Sequence, residues 1–247
     1  MTKDLFSTVA SSYARFRPTS PPALFDWLAA VAPARELAVD VGTGNGQAAA
    51  ELGQRFARVF AVEPSAEQLA NATPHPRVTY LRAPAEATGV DARSTDLIAA
   101  SQAFHWFDHA RFFAEVRRIA RPGAVLAVWC YGLDAVTPEV DAAVMELYES
   151  YLGAYWEPER RLVEQLYRDV AFPSDFVELA APPFEIRVNW RVEQLVGYLE
   201  TWSALATYRR VRGEDPMPVI VPKIERAWGA AVEREVRWPL GMRAFRV

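Results

Sequence analysis

Short apolar runs alternate with amphipathic stretches through the middle of the chain, and that alternation predicts its core. Leu37 to Val41, Val59 to Val62, Val78 to Leu81, Leu97 to Ala100 and Val125 to Trp129 have the length and near-continuous apolar character of buried parallel strands. Helical segments between them make an α/β, doubly wound sheet the economical topology. Ahead of the first strand, Phe6, Val9, Tyr13 and Phe16, then Leu24, Trp27, Leu28 and Val31, recur at helical spacing on either side of Pro18-Thr-Ser-Pro-Pro22. After the fifth strand aromatics become more frequent. Val140 to Leu152, Arg160 to Val170, Val192 to Tyr208 and Val219 to Val232 are predicted helices, and the alternating stretches Phe184 to Trp190 and Glu235 to Val247 are the predicted last two strands. With no internal repeat and no clear linker, the chain reads as a single domain. N-terminal helices occupy residues 1–33, the sheet core 34–130, a helical cap insertion 131–183, and the last two strands with intervening helices 184–247.

The join between the first strand and the helix after it carries the chemistry. Leu37-Ala-Val-Asp40-Val41 runs into Gly42-Thr43-Gly44-Asn-Gly46-Gln47, and the second strand ends in Glu63. A buried strand, a glycine turn, a helix and a second strand closed by a carboxylate is an arrangement that binds an adenosine-containing cofactor. A dinucleotide turn needs a glycine at its sixth position, which Gln47 occupies, and no Gly-Lys-Ser/Thr phosphate cradle is present. The spacing G-x-G-x-G lets backbone approach a ligand closely and permits positive φ. Glu63 stands about twenty residues past Gly42, where a carboxylate takes ribose hydroxyls. A ribose is implied and a pyrophosphate is not.

At this point the sequence resembles the class I S-adenosylmethionine-dependent methyltransferases. Asp40-Val-Gly42-Thr-Gly44-Asn-Gly46 is similar to that family's first motif, Val62-Glu63-Pro64-Ser65 to its acidic motif, and Arg121 to Trp129 to its segment entering the fifth strand. The resemblance implies a mostly parallel seven-stranded sheet in the order 3-2-1-4-5-7-6, with the last two strands as its antiparallel part. It also implies S-adenosyl-L-methionine as cofactor and S-adenosyl-L-homocysteine as product. Gly42, Thr43, Gly44 and Gly46 would then run beneath ribose and methionine, Asp40 would reach the methionine ammonium, and Glu63, followed by Pro64, would take the ribose diol. Ala85 and Glu86 match the position that brackets adenine, with an exposed loop acid as the alternative reading of Glu86. Ser101 and Gln102 end the fourth strand at the carboxyl edge and would border the methionine. The likeness places the N-terminal helix as a lid, with Tyr13 or Arg17 meeting the methionine carboxylate; a permanently docked helix is the alternative.

His105 and Trp106 leave the fourth strand where the methyl group would be transferred. His105 is the candidate catalytic base, against a purely structural imidazole, and Trp106 is a candidate wall of the acceptor pocket. In the predicted cap helix, Trp202 and Arg209 are candidates to enclose and hold the acceptor, against plain core packing and a solvated arginine. Tyr13-Ala-Arg-Phe-Arg17-Pro and Phe-His105-Trp106-Phe are similar to the trans-aconitate methyltransferase-like, or methyltransferase type 11, group. That resemblance becomes vague across the cap, so it implies no particular acceptor.

Composition narrows the partners. A net charge of −4 on 247 residues, with no Lys/Arg tract, argues against nucleic acid. The single Cys130 excludes a disulfide framework and a cysteine-rich zinc site, and no metal site is expected. The lack of a long apolar run or leader predicts a cytoplasmic protein without membrane partners, a monomer or weak homodimer. Three functions remain in view. One is methyl transfer to a small molecule, either a carboxylate methylated on oxygen by proximity and orientation, or a neutral phenol or quinol with His105 as base. The others are a nucleotide-cofactor oxidoreductase, opposed by Gln47, and a non-catalytic S-adenosylmethionine-binding protein.

Overall fold

A computed structural model of the chain describes residues 16–247. Five strands, β1 (Leu37–Val41), β2 (Arg58–Val62), β3 (Val78–Leu81), β4 (Thr95–Ser101) and β5 (Ala120–Tyr131), run parallel in the order 3-2-1-4-5. The last strand, β8 (Arg234–Arg246), lies antiparallel to β5 with Val125 opposite Arg246 and Tyr131 opposite Leu240. Two further strands, β6 (Val177–Glu178) and β7 (Phe184–Trp190), pair with β8, giving eight strands in the order 3-2-1-4-5-8-6 with β7 beside β8. The predicted order holds with the last strand counted as seventh. The extra strand arises because Pro182 and Pro183, which have no N–H to donate, separate β6 from β7.

Nine α-helices lie among the described residues: α1 (Pro22–Val31), α2 (Gln47–Gly53), α3 (Ala66–Ala70), α4 (His109–Ile119), α5 (Pro138–Met145), α6 (Arg160–Glu164), α7 (Val192–Leu199), α8 (Ser203–Arg212) and α9 (Met217–Trp228). Every residue of β1 is buried, because apolar layers cover both faces of the sheet there. Leu24, Leu28, Ala49 and Leu52 from α1 and α2 pack on one face with Val59 and Trp129. Phe112, Val116 and Ile119 from α4 pack on the other with Val39, Ile98 and Leu126.

Two predicted helices break inside the apolar run that suggests them. The stretch from Val192 to Tyr208 breaks at Thr201, whose hydroxyl donates to the Tyr198 carbonyl at 2.6 Å and competes with the helical ladder. The helix from Arg160 stops at Glu164, and Leu166 and Tyr167 then take φ of 51° and 58°. Leu166 passes so close to Gly241 that a Cβ there would lie 2.6 Å from the Leu166 carbonyl oxygen.

By their internal contacts the residues form two compact units. Thr19–Gly132, Arg161–Glu185 and Leu240–Val247 make the first, which holds the sheet core. Leu133–Arg160 and Ile186–Pro239 make the second, to which Arg17 also belongs. No helix among the described residues is long and apolar enough to cross a membrane.

Candidate active site

The glycine turn sits between β1 and α2, and each glycine meets a different constraint. Gly42 has φ of 70°, and a Cβ there would lie 2.5 Å from Cβ of Ala103, so the loop after β4 packs directly on the turn. Gly46, in the left-handed region as N-cap of α2, would place a Cβ 2.1 Å from the Tyr80 hydroxyl oxygen. Gly44 differs: its φ is 57°, yet nothing lies within 4 Å of an added Cβ. Open space over a positive-φ glycine is where backbone can face a ligand.

Two acids frame that space. Glu63, at the end of β2, is 9 % exposed; its Oε2 accepts from the Gly44 amide at 3.0 Å and its Oε1 from the Ser65 amide at 3.0 Å. Asp40 is fully buried, and its Oδ2 accepts from the Thr43 hydroxyl at 2.5 Å. Its other oxygen, Oδ1, is buried without a hydrogen-bond partner. Burial, and to a lesser extent the charge of Glu63, push the Asp40 pKa up to about 6 against the lowering effect of the Thr43 bond. The unpaired buried oxygen of Asp40 suits a cationic group and the Glu63 carboxylate suits hydroxyls, so these residues fit a nucleoside that carries an ammonium group.

The remaining donor-side positions fall as follows. Pro64 follows Glu63, and its carbonyl accepts from Arg82 at 3.3 Å. Ala85 is buried; Glu86 is half-buried, and its Oε1 accepts from the Asp108 amide at 2.9 Å, tying the loop after β3 to the start of α4. Ser101 ends β4, half-buried, and Gln102 takes φ of 53°, rare for a residue with a side chain. That conformation is held by the Gln102 amide donating to the Trp129 carbonyl at 2.9 Å, with Nε2 3.4 Å from the Tyr131 carbonyl.

His105 and Trp106 sit in a short 3-10 turn, Phe104–Trp106, with ring centroids 4.8 Å apart. Nδ1 of His105 lies 2.9 Å from the hydroxyl of Tyr167, a buried residue within the predicted cap insertion. Tyr167 in turn packs edge-on against Phe104 at 5.4 Å. Sequence pattern did not single out Tyr167, because its role depends on a positive-φ turn inside a run that reads as helix. Tyr80 was missed for the same kind of reason; it shows only as a strand residue, yet it closes on Gly46 and its hydroxyl donates to the Thr73 carbonyl at 2.5 Å.

The other expected residues stand elsewhere. Tyr13 lies outside the described residues. In the second unit, Arg17 donates from Nη2 to the Thr201 carbonyl at 3.2 Å and lies over the Tyr198 ring. Trp202 is buried and packs against Tyr148, Trp156 and Tyr198. Arg209 forms ion pairs with Glu200 at 2.6 Å and Asp215 at 2.8 Å. Among the described residues no group of three His, Cys, Asp or Glu side chains is placed to hold a metal ion.

Known proteins share this architecture. Residues 39–128 match the methyltransferase domain family. A Dictyostelium discoideum protein named as a methyltransferase is 32 % identical over 229 residues, covering 91 % of this chain and 86 % of that relative. The chain belongs to the class I S-adenosylmethionine-dependent methyltransferases. A solved structure named as a type II methyltransferase of Anaeromyxobacter dehalogenans superposes with a TM-score of 0.86 at 51 % identity, over 94 % of this chain and 98 % of that one. Phosphoethanolamine N-methyltransferase 2 of Haemonchus contortus, solved with S-adenosylhomocysteine, shares the fold alone, at a TM-score of 0.51 and 16 % identity over 97 % of this chain and 57 % of that one. S-adenosylmethionine is therefore the cofactor of this methyltransferase.

Proposed function

We propose that this methyltransferase transfers the methyl group to a hydroxyl of a neutral small molecule, with His105 taking the proton. When bound, S-adenosylmethionine supplies a methyl group on a sulfonium centre and leaves as the neutral thioether. Asp40, through its orphaned Oδ1, receives the methionine ammonium, and Glu63 receives the ribose hydroxyls. Gly44 leaves room for the ligand that a side chain would fill. As the acceptor oxygen gains the methyl group it loses its proton to His105, so charge balances without a metal ion.

One observation carries the choice of a proton-removing site: the His105 ring is held by the Tyr167 hydroxyl, in the segment whose Ala103 packs on the donor turn. An imidazole fixed in orientation beside the donor site is what general base catalysis requires and what transfer to an existing carboxylate does not. The carboxylate alternative called on Arg209, whose guanidinium is instead paired with Glu200 and Asp215. A methyl-transfer screen of neutral phenols against small carboxylic acids tests the choice. Turnover confined to phenols and lost in His105→Ala supports it; turnover of carboxylic acids that survives His105→Ala refutes it.

A further inference from the structure

Helix α4 starts directly after the segment that carries His105, and its own sequence leaves that start incomplete. Asp108 is the N-cap, and its Oδ1 accepts from the Arg111 amide at 3.2 Å. In a capping box the residue three positions on returns the bond, its side chain accepting from the N-cap amide. Arg111 stands at that position and has donors only, so it returns nothing. Glu86 supplies the missing acceptor from the loop after β3. Its Oε1 takes the Asp108 amide at 2.9 Å, the one hydrogen bond that its carboxylate makes among the described residues. An acid from a distant part of the sequence thus completes the cap that a local Glu or Gln completes elsewhere.

The loop that holds Glu86 is itself fixed. Both the Thr88 amide, at 2.8 Å, and the Thr88 hydroxyl, at 2.5 Å, donate to Oε1 of Glu115 on α4, and Arg118 donates to the Val90 carbonyl at 2.7 Å. On the other side of Asp108 the chain is equally confined. A Cβ added at Gly42 would lie 2.5 Å from Cβ of Ala103 and 3.2 Å from Cζ of Phe107, so this stretch packs on the glycine turn. Nε2 of His109 donates to the Phe104 carbonyl at 3.1 Å, with the two rings stacked at 4.2 Å. Between these contacts the Trp106 amide donates to the Ala103 carbonyl at 2.9 Å and the Phe107 amide to the Phe104 carbonyl at 3.2 Å. A stretch closed on itself in this way moves as one piece, so a shift at Asp108 reaches the imidazole of His105.

We propose that Glu86 is a positioning residue for His105, holding the Phe104–Trp106 turn against Tyr167 and the glycine turn through the Asp108 amide. The role rests on the proposed use of His105 as base and names the group that sets its geometry. Misplacement by about 1 Å in such a site costs about 10²-fold in rate. The Glu86 carboxylate is then committed to the turn and not to the cofactor. Its loss is felt at the imidazole, while the loop around it stays anchored on α4 through Thr88 and Val90.

The test is NMR of the full chain with isotope-labelled histidine, saturated with S-adenosylhomocysteine; His75, His105 and His109 are the three imidazoles. The wild type is compared with Glu86→Ala, Glu86→Gln and Tyr167→Phe, the last of which marks the Nδ1 resonance of a His105 ring without its anchor. Glu86→Ala should move that resonance at least halfway to its Tyr167→Phe position. Glu86→Gln, whose amide oxygen still accepts from Asp108, should return it to the wild-type position. His75, bonded to Gln54 at 2.9 Å, should not move, and S-adenosylhomocysteine affinity should change less than threefold in both Glu86 variants. A His105 resonance unmoved in Glu86→Ala, an equal displacement in Glu86→Gln, or affinity for S-adenosylhomocysteine lowered more than threefold would overturn the role. None of these readings involves methyl transfer. Failure of His105 as base is read separately, as turnover that survives His105→Ala, so the two failures are distinguishable.

Discussion

The Tyr167 hydroxyl and Nδ1 of His105 lie 2.9 Å apart although sixty-two residues separate them in sequence. Tyr167 reaches the position from a positive-φ turn and is wholly buried, so the hydroxyl is a fixed point against which the imidazole is oriented. If His105 removes the acceptor proton, His105→Ala should lower kcat by about 10²–10⁴-fold. Tyr167→Phe, which leaves the ring in place but unanchored, should lower kcat by about tenfold, a modest loss of orientation. Affinity for S-adenosylhomocysteine should hold in both. Turnover within threefold of wild type in His105→Ala would show that the imidazole is structural.

If Asp40 receives the methionine ammonium as proposed, cofactor binding depends on pH. Its pKa, raised to about 6 by burial, lies above that of the unfolded chain, so the unliganded site is largely protonated below pH 6. A bound ammonium favours the ionised carboxylate, so binding releases a proton and strengthens as pH rises through about 6, by about tenfold per unit below it. Affinity measured between pH 5 and 7.5 should show that slope in the wild type and lose it in Asp40→Asn. A flat profile in the wild type would place the ammonium elsewhere.

Asp134 gives the opposite dependence for stability. Its folded pKa, pushed up by burial to about 7, exceeds the ordinary 3.8, so the folded chain holds its proton more tightly than the unfolded chain. The folded state binds more protons between about pH 4 and 7, and the contribution falls as pH rises through that window. Asp134→Leu should raise Tm at pH 8, by an amount corresponding to about 2–4 kcal/mol at most, and change it little at pH 4. An unchanged Tm at pH 8 would mean that the carboxylate is compensated in the folded protein.

The three turn glycines should separate folding from binding. Gly42→Ala and Gly46→Ala meet Ala103 and Tyr80 at 2.5 and 2.1 Å and should destabilise the fold, by at least about 1–3 kcal/mol. Gly44→Ala, strained by its φ of 57° but with open space around its Cβ, should destabilise the fold less than the other two, by about 1 kcal/mol, yet lose cofactor affinity, because the methyl group enters the ligand's place. Thermal melts and calorimetry on the three variants give the comparison.

The sheet, and the strand-turn-helix-strand unit that brings Glu63 to the glycine turn, were legible in the sequence because both rest on local rules. Buried parallel strands are continuous apolar runs, so β1 and β3 were bounded to the residue, and the G-x-G-x-G turn with Glu63 is set by one strand-turn-helix-strand unit. What the sequence did not show was non-local or side-chain driven. Thr201 breaks a run whose apolar spacing is helical, which turned one predicted cap helix into α7 and α8 and made Trp202 an N-cap. The ion pairs of Arg209 with Glu200 and Asp215 have no signature in a helical run. Asp134 carries no motif, and its burial shows only once the chain is folded.

The central claim is that Glu63 and the glycine turn hold the adenosyl part of the cofactor. Calorimetric titration of S-adenosylhomocysteine into the wild type and Glu63→Ala tests it most directly, with NAD as the control ligand. The wild type should bind S-adenosylhomocysteine and not NAD, and Glu63→Ala should lose about 1.5–3 kcal/mol of binding free energy, the worth of charge-assisted hydrogen bonds to ribose. Equal affinity of the two proteins for S-adenosylhomocysteine would contradict the account.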